Sequence, residues 1–286
     1  MMYPLYMFGS LLSRILPTRA GYLLAKIIVG VYYLFAKNDK RNLRNNLRVV
    51  LGEGISERQL ERHVWHVFKN FAKYLVDFFK LTGYSEEYIN KNIELVGREH
   101  LDAALAQGRG VILAGLHLGN WELGGAIIGG LKYPVCAIAL EHSDKKVNEF
   151  FAKRRARNNL RSIHIGSQIK GCFKALKNNE ILGIVADKDY TGTGIPVDFF
   201  GRKALMPKGP AVIALKTGAP IIITVTTREK GDRFKTYFTP PIEYTPKGDL
   251  ESDTRELMSI YLRQFEGIIR QYPDQWYVFG EIWDQG

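Results

Sequence analysis

The stretch GVILAGLHLGNWE, residues 110–122, sets the fold class because it joins an apolar run to a helix start through a polar turn. Residues 110–116 are short and almost wholly apolar, which is typical of a strand covered on both faces. Gly119 allows a tight turn, and Asn120 is of the type that caps a helix. The pattern therefore predicts a strand–turn–helix unit with His117 at the carboxyl end of a buried strand.

The same alternation continues through the rest of the chain from about residue 93. Further apolar runs predict buried strands at 135–140, 181–186 and 221–227. Helices are predicted between the strands, at 120–131, 144–158, 168–178 and 209–217. Ser143 and Ser167 are the expected N-caps of the second and third of these helices. Such alternation predicts an α/β fold of αβα layers around a mostly parallel central sheet.

Other segments extend this core. Ser56 and Gln59 form a capping box ahead of an amphipathic helix with a basic outer face. Residues 234–242 are predicted as an edge strand and residues 253–272 as a C-terminal helix. Residues 187–208 show no period and are long for a connection, which indicates a functional loop.

The N-terminal segment 1–50 is predicted to be a membrane-associating part that precedes the α/β domain at 51–286. Residues 20–36 form an apolar run interrupted only by Lys26, at the lower length limit for crossing a bilayer. Basic residues follow at once, and the whole chain carries a formal charge of +11. This arrangement suits contact with an anionic membrane surface. The alternative is that this segment forms a core helix of a soluble domain. A helix that spans the membrane and a helix that lies in its plane would have the same sequence pattern.

The chemistry of the site centres on His117 and Glu122. A histidine at the end of a buried strand lies where open α/β sheets place their ligands. Glu122, in the first turn of the next helix, is predicted to fix the imidazole so that His117 acts as a general base toward a hydroxyl. The alternative is a structural histidine, with Glu122 interacting with the helix dipole.

Several other classes of function lack their sequence signals. The chain contains no G-x-S-x-G elbow, no Walker A motif and no G-x-G-x-x-G after a strand. The two cysteines, Cys136 and Cys172, lack metal-type spacing, so no metal or cofactor is expected. No nucleic-acid-binding module is recognised, so nucleic acid is not an expected partner.

Six motifs give the chain a resemblance to a known family. They are LRNNLRVVLG (43–52), HLGNWELGG (117–125), KRRARNN (153–159), DKDY (187–190), VDFFG (197–201) and PDQW (273–276). Together they resemble the lysophospholipid acyltransferase superfamily, and within it the lipid A lauroyl/myristoyl late acyltransferases. Mannoside acyltransferases of the mycobacterial type share most of these features.

The resemblance implies an O-acyltransferase that needs no cofactor. An acyl thioester, on acyl carrier protein or coenzyme A, would donate its chain to a hydroxyl of a membrane glycolipid, with a lipid A precursor favoured over a mannoside-type acceptor. The enzyme would work on the cytoplasmic face of a bacterial inner membrane. The resemblance would place Phe199 and Phe200 along the acyl channel, although plain core packing is the favoured explanation for them. A non-catalytic membrane-docking protein on the same scaffold is the rival class.

The resemblance also assigns two pairs of charged residues to substrate binding. Arg155 and Arg157 would stabilise the oxyanion or bind an acceptor phosphate, because guanidinium suits both. A solvated basic helix face is their alternative. Asp187 and Asp189 follow the strand predicted at 181–186 and would position either the acceptor or His117. Capping of their own loop is the alternative for this pair.

Overall fold

The computed structural model of the protein describes residues 3–81, 83–140, 144–164 and 169–283. The N-terminal helices are α1 (Tyr3–Ile15), α2 (Thr18–Phe35), α3 (Lys37–Leu51), α4 (Glu57–Lys80) and α5 (Glu86–Asn92). The later ones are α6 (Arg98–Leu105), α7 (Trp121–Gly130), α8 (Lys145–Ala156), α9 (Ile169–Lys177), α10 (Gly209–Thr217) and α11 (Leu250–Gln271). The strands are β1 (Ile93–Val96), β2 (Val111–Gly115), β3 (Val135–Ala139), β4 (Leu160–His164), β5 (Ile181–Val185), β6 (Ile195–Phe199), β7 (Arg202–Met206), β8 (Ile221–Arg228) and β9 (Phe234–Phe238).

Seven strands form one sheet in the order β1-β9-β8-β2-β5-β3-β4. All neighbours in it are parallel except β8 and β9, which run antiparallel. Every residue of β2 is buried, as its unbroken apolar sequence predicts. The predicted mostly parallel sheet with surrounding helices is confirmed, and β2, β3, β5 and β8 are the four strands that the apolar runs indicated.

Of the three predicted N-cap serines, the structure describes Ser56. Ser56 accepts from the Gln59 backbone while the Gln59 side chain accepts from the Ser56 backbone, so the capping box is confirmed. Ser143 and Ser167 lie outside the described residues. Asp144 caps α8 through its carboxylate, which accepts from the Lys146 backbone at 2.9 Å.

The strand predicted at 234–242 is present as β9, at Phe234–Phe238, but its predicted place at an edge of the sheet is wrong. β9 lies inside the sheet, antiparallel to β8 on one side and parallel to β1 on the other. β1 and β4 are the edges of the sheet, and the four residues of β1, IELV, are in turn buried, exposed, half-buried and exposed. A strand that short gives too little periodicity to be recognised from sequence.

The loop predicted over 187–208 contains a β-hairpin. β6 and β7 pair in antiparallel register, and Phe200 and Gly201 connect them at positive φ of 53° and 73°. Trp283 closes the hairpin against the core by donating its indole N–H to the Phe199 carbonyl at 3.0 Å. The part of the predicted loop ahead of β6 and the two residues 207–208 after β7 are irregular.

The N-terminal helices pack on α4 and leave an apolar surface exposed. Exposed side chains occur along both α1 and α2; they are Met7, Phe8, Leu11, Ile15, Leu23, Ile27, Ile28, Val31, Tyr32, Leu34 and Phe35. Among the described helices none alone has the length and apolarity to cross a bilayer, but α2 and α3 taken together pass that test with a 93° bend between them.

Candidate active site

His117 stands where the strand–turn–helix unit was predicted to place it, immediately beyond β2 and before α7. Gly119 has a φ of 66°, and a Cβ there would collide with the Thr226 carbonyl of β8. The chain therefore turns tightly against β8 at this point. The Asn120 side chain accepts from the Leu123 backbone at 3.0 Å and caps α7, as the sequence predicts.

The partner of His117 is Asp187, at the carboxyl end of the neighbouring strand β5. The imidazole Nδ1 lies 2.7 Å from Asp187 Oδ1, and the His117 backbone N–H donates to Oδ2 at 2.9 Å. Trp276 donates its indole N–H to the same Oδ2 at 2.8 Å. Asp187 is fully buried, so these three contacts orient it rigidly. A carboxylate on Nδ1 fixes the tautomer that leaves Nε2 able to accept a proton.

The charge of Asp187 is maintained despite its burial. Burial alone would raise the pKa of this carboxyl, but the adjacent His117 and the hydrogen bonds from His117 and Trp276 hold the pKa below its ordinary value. An ionised carboxylate at this position stabilises an imidazolium as it forms. The pair therefore has the geometry and the electrostatics of a general base with its orienting acid.

The prediction that Glu122 holds the imidazole is wrong. Glu122 is 5% exposed and accepts from Arg155 with both oxygens, from Nε at 3.0 Å and from Nη2 at 2.5 Å. The first turn of α7 brings Trp121 against the His117 ring, at 5.2 Å between centroids, and directs Glu122 toward α8. Adjacent helix positions face different directions, so Trp121 contacts the imidazole while Glu122, which also lines the cavity at His117, pairs with Arg155.

Arg155 is consequently committed to an ion pair. Burial would lower the pKa of its guanidinium, but Glu122 beside it raises the pKa above its ordinary value. A third nitrogen, Nη1, reaches Ser162 Oγ at 3.4 Å. With its donors on Glu122 and Ser162, Arg155 acts in this structure as a tie between α7 and α8 rather than as a free oxyanion donor.

The other predicted charged residues divide between the site and its surroundings. Asp189 lines the same cavity as His117 but accepts from the Thr191 backbone at 2.8 Å and the Gly194 backbone at 2.7 Å, which is the loop-capping alternative. Arg157 is exposed just beyond α8 and lines a different cavity. Only Asp187 of the two acidic residues contacts His117.

The structure places the two predicted channel phenylalanines in the core. Phe199 is fully buried and stacks on Trp283 with ring centroids 5.7 Å apart and planes 19° from parallel. Phe200 packs edge-on against Phe199 at 4.7 Å. Neither lines the cavity at His117, so core packing, the alternative explanation, is the correct one.

A cavity of about 800 Å³ opens at His117. One group of lining residues comes from α7 and the sheet face that it covers; it includes Leu113, Ile128, Val135, Ala137, Leu160 and Gly183. A second group comes from α9, α10 and the face that they cover; it includes Ile138, Phe173, Ile184, Val212 and Lys216. The lining is predominantly aliphatic and aromatic, which suits a hydrocarbon ligand.

Sequence reasoning missed several residues at the site. Trp121 and Tyr190 flank the imidazole edge-on, at 5.2 and 5.4 Å between centroids. Tyr74 of α4 stacks on Trp121 at 4.4 Å. The PDQW motif indicated Trp276, but nothing local to it shows that its indole reaches Asp187. Within the described ranges, no group of three or more His, Cys, Asp or Glu side chains is arranged to hold a metal ion.

Comparison with known proteins places the chain among bacterial acyltransferases. The family described as Bacterial lipid A biosynthesis acyltransferase matches residues 2–285. Phosphatidylinositol mannoside acyltransferase of Mycobacterium tuberculosis H37Rv is 28% identical over 261 residues, covering 89% of this chain and 80% of that protein. Two Escherichia coli K12 proteins each align over 85% of this chain and 78% of their own: lipid A biosynthesis palmitoleoyltransferase at 25% identity and lauroyltransferase at 24%.

A histidine held by a carboxylate at an apolar cavity, together with these relatives named as acyltransferases, defines the protein as an O-acyltransferase. The chain belongs to the bacterial lipid A biosynthesis acyltransferase family.

Proposed function

We propose that this enzyme moves a fatty acyl chain from an acyl thioester to a hydroxyl of a membrane glycolipid, with His117 as the general base. The observation that carries the proposal is the His117–Asp187 pair at an apolar cavity of about 800 Å³. The pair supplies proton transfer, and the cavity supplies room for a hydrocarbon chain.

The chemical step follows from the free Nε2 of His117. The acceptor hydroxyl gives its proton to Nε2 while its oxygen attacks the thioester carbonyl carbon. The negative charge of Asp187 stabilises the resulting imidazolium. When the tetrahedral intermediate collapses, the C–S bond breaks, an ester remains on the acceptor, and the imidazolium returns the proton to the leaving thiolate.

The acyl chain fits the lining beneath α7. Gly183 of β5 lies on that lining, and a Cβ there would meet Ala137 Cβ and the Cys136 carbonyl only at 3.6 Å. An alanine therefore fits at position 183, whereas a longer side chain extends into the cavity. The length of chain that the enzyme accepts should depend on this position.

The Gly183→Leu variant is expected to shift transfer toward shorter acyl chains, by roughly four carbons at most, since a leucine side chain contains about that many. Mass spectrometry of products from a mixture of acyl thioesters measures the shift. Gly183→Ala is the matched control and should keep the wild-type preference. An unchanged preference in Gly183→Leu would place the acyl chain elsewhere.

The donor is proposed to be acyl carrier protein or coenzyme A. Lys188, Lys208 and Lys216 line the cavity, and the chain carries a net charge of +11. These cations suit the phosphate that both carriers contain and the acidic surface of a carrier protein.

The acceptor is proposed to be a lipid A precursor, because the matching family is described by lipid A biosynthesis. A mannoside-type glycolipid is the second candidate, because the mycobacterial mannoside acyltransferase is 28% identical and the palmitoleoyltransferase 25%. Incubating the purified enzyme with acyl carrier protein thioesters and each acceptor in turn tests the proposal. An ester product on one glycolipid supports it. Hydrolysis of the thioester without transfer to any lipid hydroxyl would contradict it.

The enzyme is further proposed to act at the cytoplasmic face of a bacterial inner membrane, docked through α1 and α2. Tyr6 of α1 lines the acyl cavity, while Phe8, Leu11 and Ile15 of the same helix are exposed. One helix thus connects the exposed apolar surface with the cavity, so a lipid acceptor leaving the bilayer would have a short path to His117.

Replacing Ile27, Val31 and Phe35 of α2 by serine is expected to weaken binding to lipid vesicles on the order of 100-fold, because each loses about 1 kcal/mol or more of apolar transfer. All three are more than half exposed, so the fold should persist. Vesicle cosedimentation measures the loss. The control, Leu205→Ser with Leu250→Ser, removes exposed apolar groups elsewhere and should bind as the wild type does. Equal binding by both variants would rule out α2 as the docking element.

A further inference from the structure

A second cavity, of about 640 Å³, lies apart from the active site where α1, α4 and α8 end. Its lining includes four cations: Arg14 from α1, Lys80 from α4, and Arg154 and Arg157 from the end of α8. Within the described part of the chain, none of the residues that line it is acidic. Four like charges around one cavity with no carboxylate indicate a site for an anion.

The helix ends offset only part of this charge. Arg154 donates to the Phe79 carbonyl at 2.7 Å, and Lys80 donates to the Leu16 carbonyl at 2.8 Å. A helix C-terminus carries roughly −0.5 charge, so three of them supply about −1.5 against four cations. The remaining positive charge is associated with Arg14 and Arg157, which are both exposed.

Arg154 lies in an electrostatically unfavourable position. It is 6% exposed, and its Nε is buried without a hydrogen-bond partner in the described structure. Burial, and then the positive charges of Arg157 and Arg14, lower the pKa of Arg154 to about 10. The three guanidinium groups line one cavity, and a bound anion there would offset their charges.

We propose that this second cavity binds the phosphate of an anionic membrane lipid, with Arg14 and Arg157 as its contacts and Arg154 as the buried charge that attracts it. The membrane source follows from the location of Arg14, which shares α1 with the exposed apolar residues Leu11 and Ile15. In this respect the inference rests on the proposed docking of α1 and α2 to a bilayer. The site would anchor the enzyme on anionic lipid in a fixed orientation.

Cosedimentation with phosphatidylcholine vesicles, with and without phosphatidylglycerol, tests the inference. Phosphatidylglycerol should tighten binding of the wild type, and Arg14→Gln with Arg157→Gln should reduce that gain by roughly 30-fold, as expected for two cations at a lipid surface. Arg233→Gln with Arg263→Gln, two exposed arginines outside both cavities, is the control of equal charge and should retain most of the gain.

Each contrary result has a separate meaning. If both double variants lost the phosphatidylglycerol-dependent gain in binding equally, or if neither lost it, the gain would reflect general attraction between the basic protein and the anionic vesicle. Either result would refute a specific site in this cavity. A rise in melting temperature with inorganic phosphate, relative to chloride at equal ionic strength, without any effect of phosphatidylglycerol would assign the cavity to a free anion instead. Failure of the wild type to bind either vesicle would overturn the docking proposal itself, and the lipid assignment with it.

Discussion

The Asp187→Asn variant is expected to transfer acyl chains about 10⁴-fold more slowly than the wild type, as an amide in place of the orienting carboxylate selects the wrong imidazole tautomer. The carboxylate contacts Nδ1 at 2.7 Å. An asparagine amide that donates to Nδ1 would move the proton to Nε2, where the acceptor hydroxyl needs a free lone pair. The initial rate of ester formation from an acyl thioester measures the effect.

Asp198→Asn is the matched control, because it makes the same chemical change at an exposed residue paired with Lys203 on the β6–β7 hairpin. It should keep the wild-type rate. Circular dichroism should show both variants folded. If Asp187→Asn retained more than a tenth of wild-type activity, the proposed orienting role of Asp187 would be refuted.

Glu122→Leu is expected to lower the free energy of unfolding by about 3–5 kcal/mol, because it leaves the Arg155 cation buried without its partner. The side chains of Glu122 and Arg155 are 5% and 17% exposed, so water replaces little of the lost interaction. Urea unfolding measures the change. Replacing both residues, as Glu122→Leu with Arg155→Met, should restore most of the loss, since no charge is then left unpaired.

The comparison for this pair is Asp198→Leu, which breaks an exposed ion pair with Lys203 and should cost about 1 kcal/mol or less. A Glu122→Leu variant as stable as Asp198→Leu would show that the Glu122–Arg155 pair does not hold α7 to α8. A large loss of activity with unchanged stability would instead return Glu122 to a direct role at His117.

The layered sheet could be predicted because its central strands are buried on both faces. β2, β3, β5 and β8 appear in the sequence as short, mainly apolar runs. Asn120 and Ser56 are typical N-cap residues, and they indicate where α7 and α4 begin. β1 and the strands of the β6–β7 hairpin are short and partly exposed, so their sequences show no clear strand pattern of apolar residues. Their places depend on pairing partners distant in the chain.

The parts of the site that could be predicted are those that depend on local sequence. His117 could be predicted because a polar residue ends a buried strand; Asp187 also follows a buried strand, but its role came from the family resemblance. The choice between Glu122 and Asp187 as its partner depends on the rotation of α7 and on the adjacency of β2 and β5. Both are tertiary facts, and the nearer carboxylate in sequence was the wrong one.

The most direct test of the central claim is the acyl-transfer rate of His117→Ala, Asp187→Asn and the double variant, measured side by side. If the imidazole and the carboxylate act as one unit, the double variant should be no slower than His117→Ala alone, since Asp187 contributes only through the ring. A His117→Ala variant that turned over at the wild-type rate, or a double variant slowed by the product of the two single effects, would contradict the account.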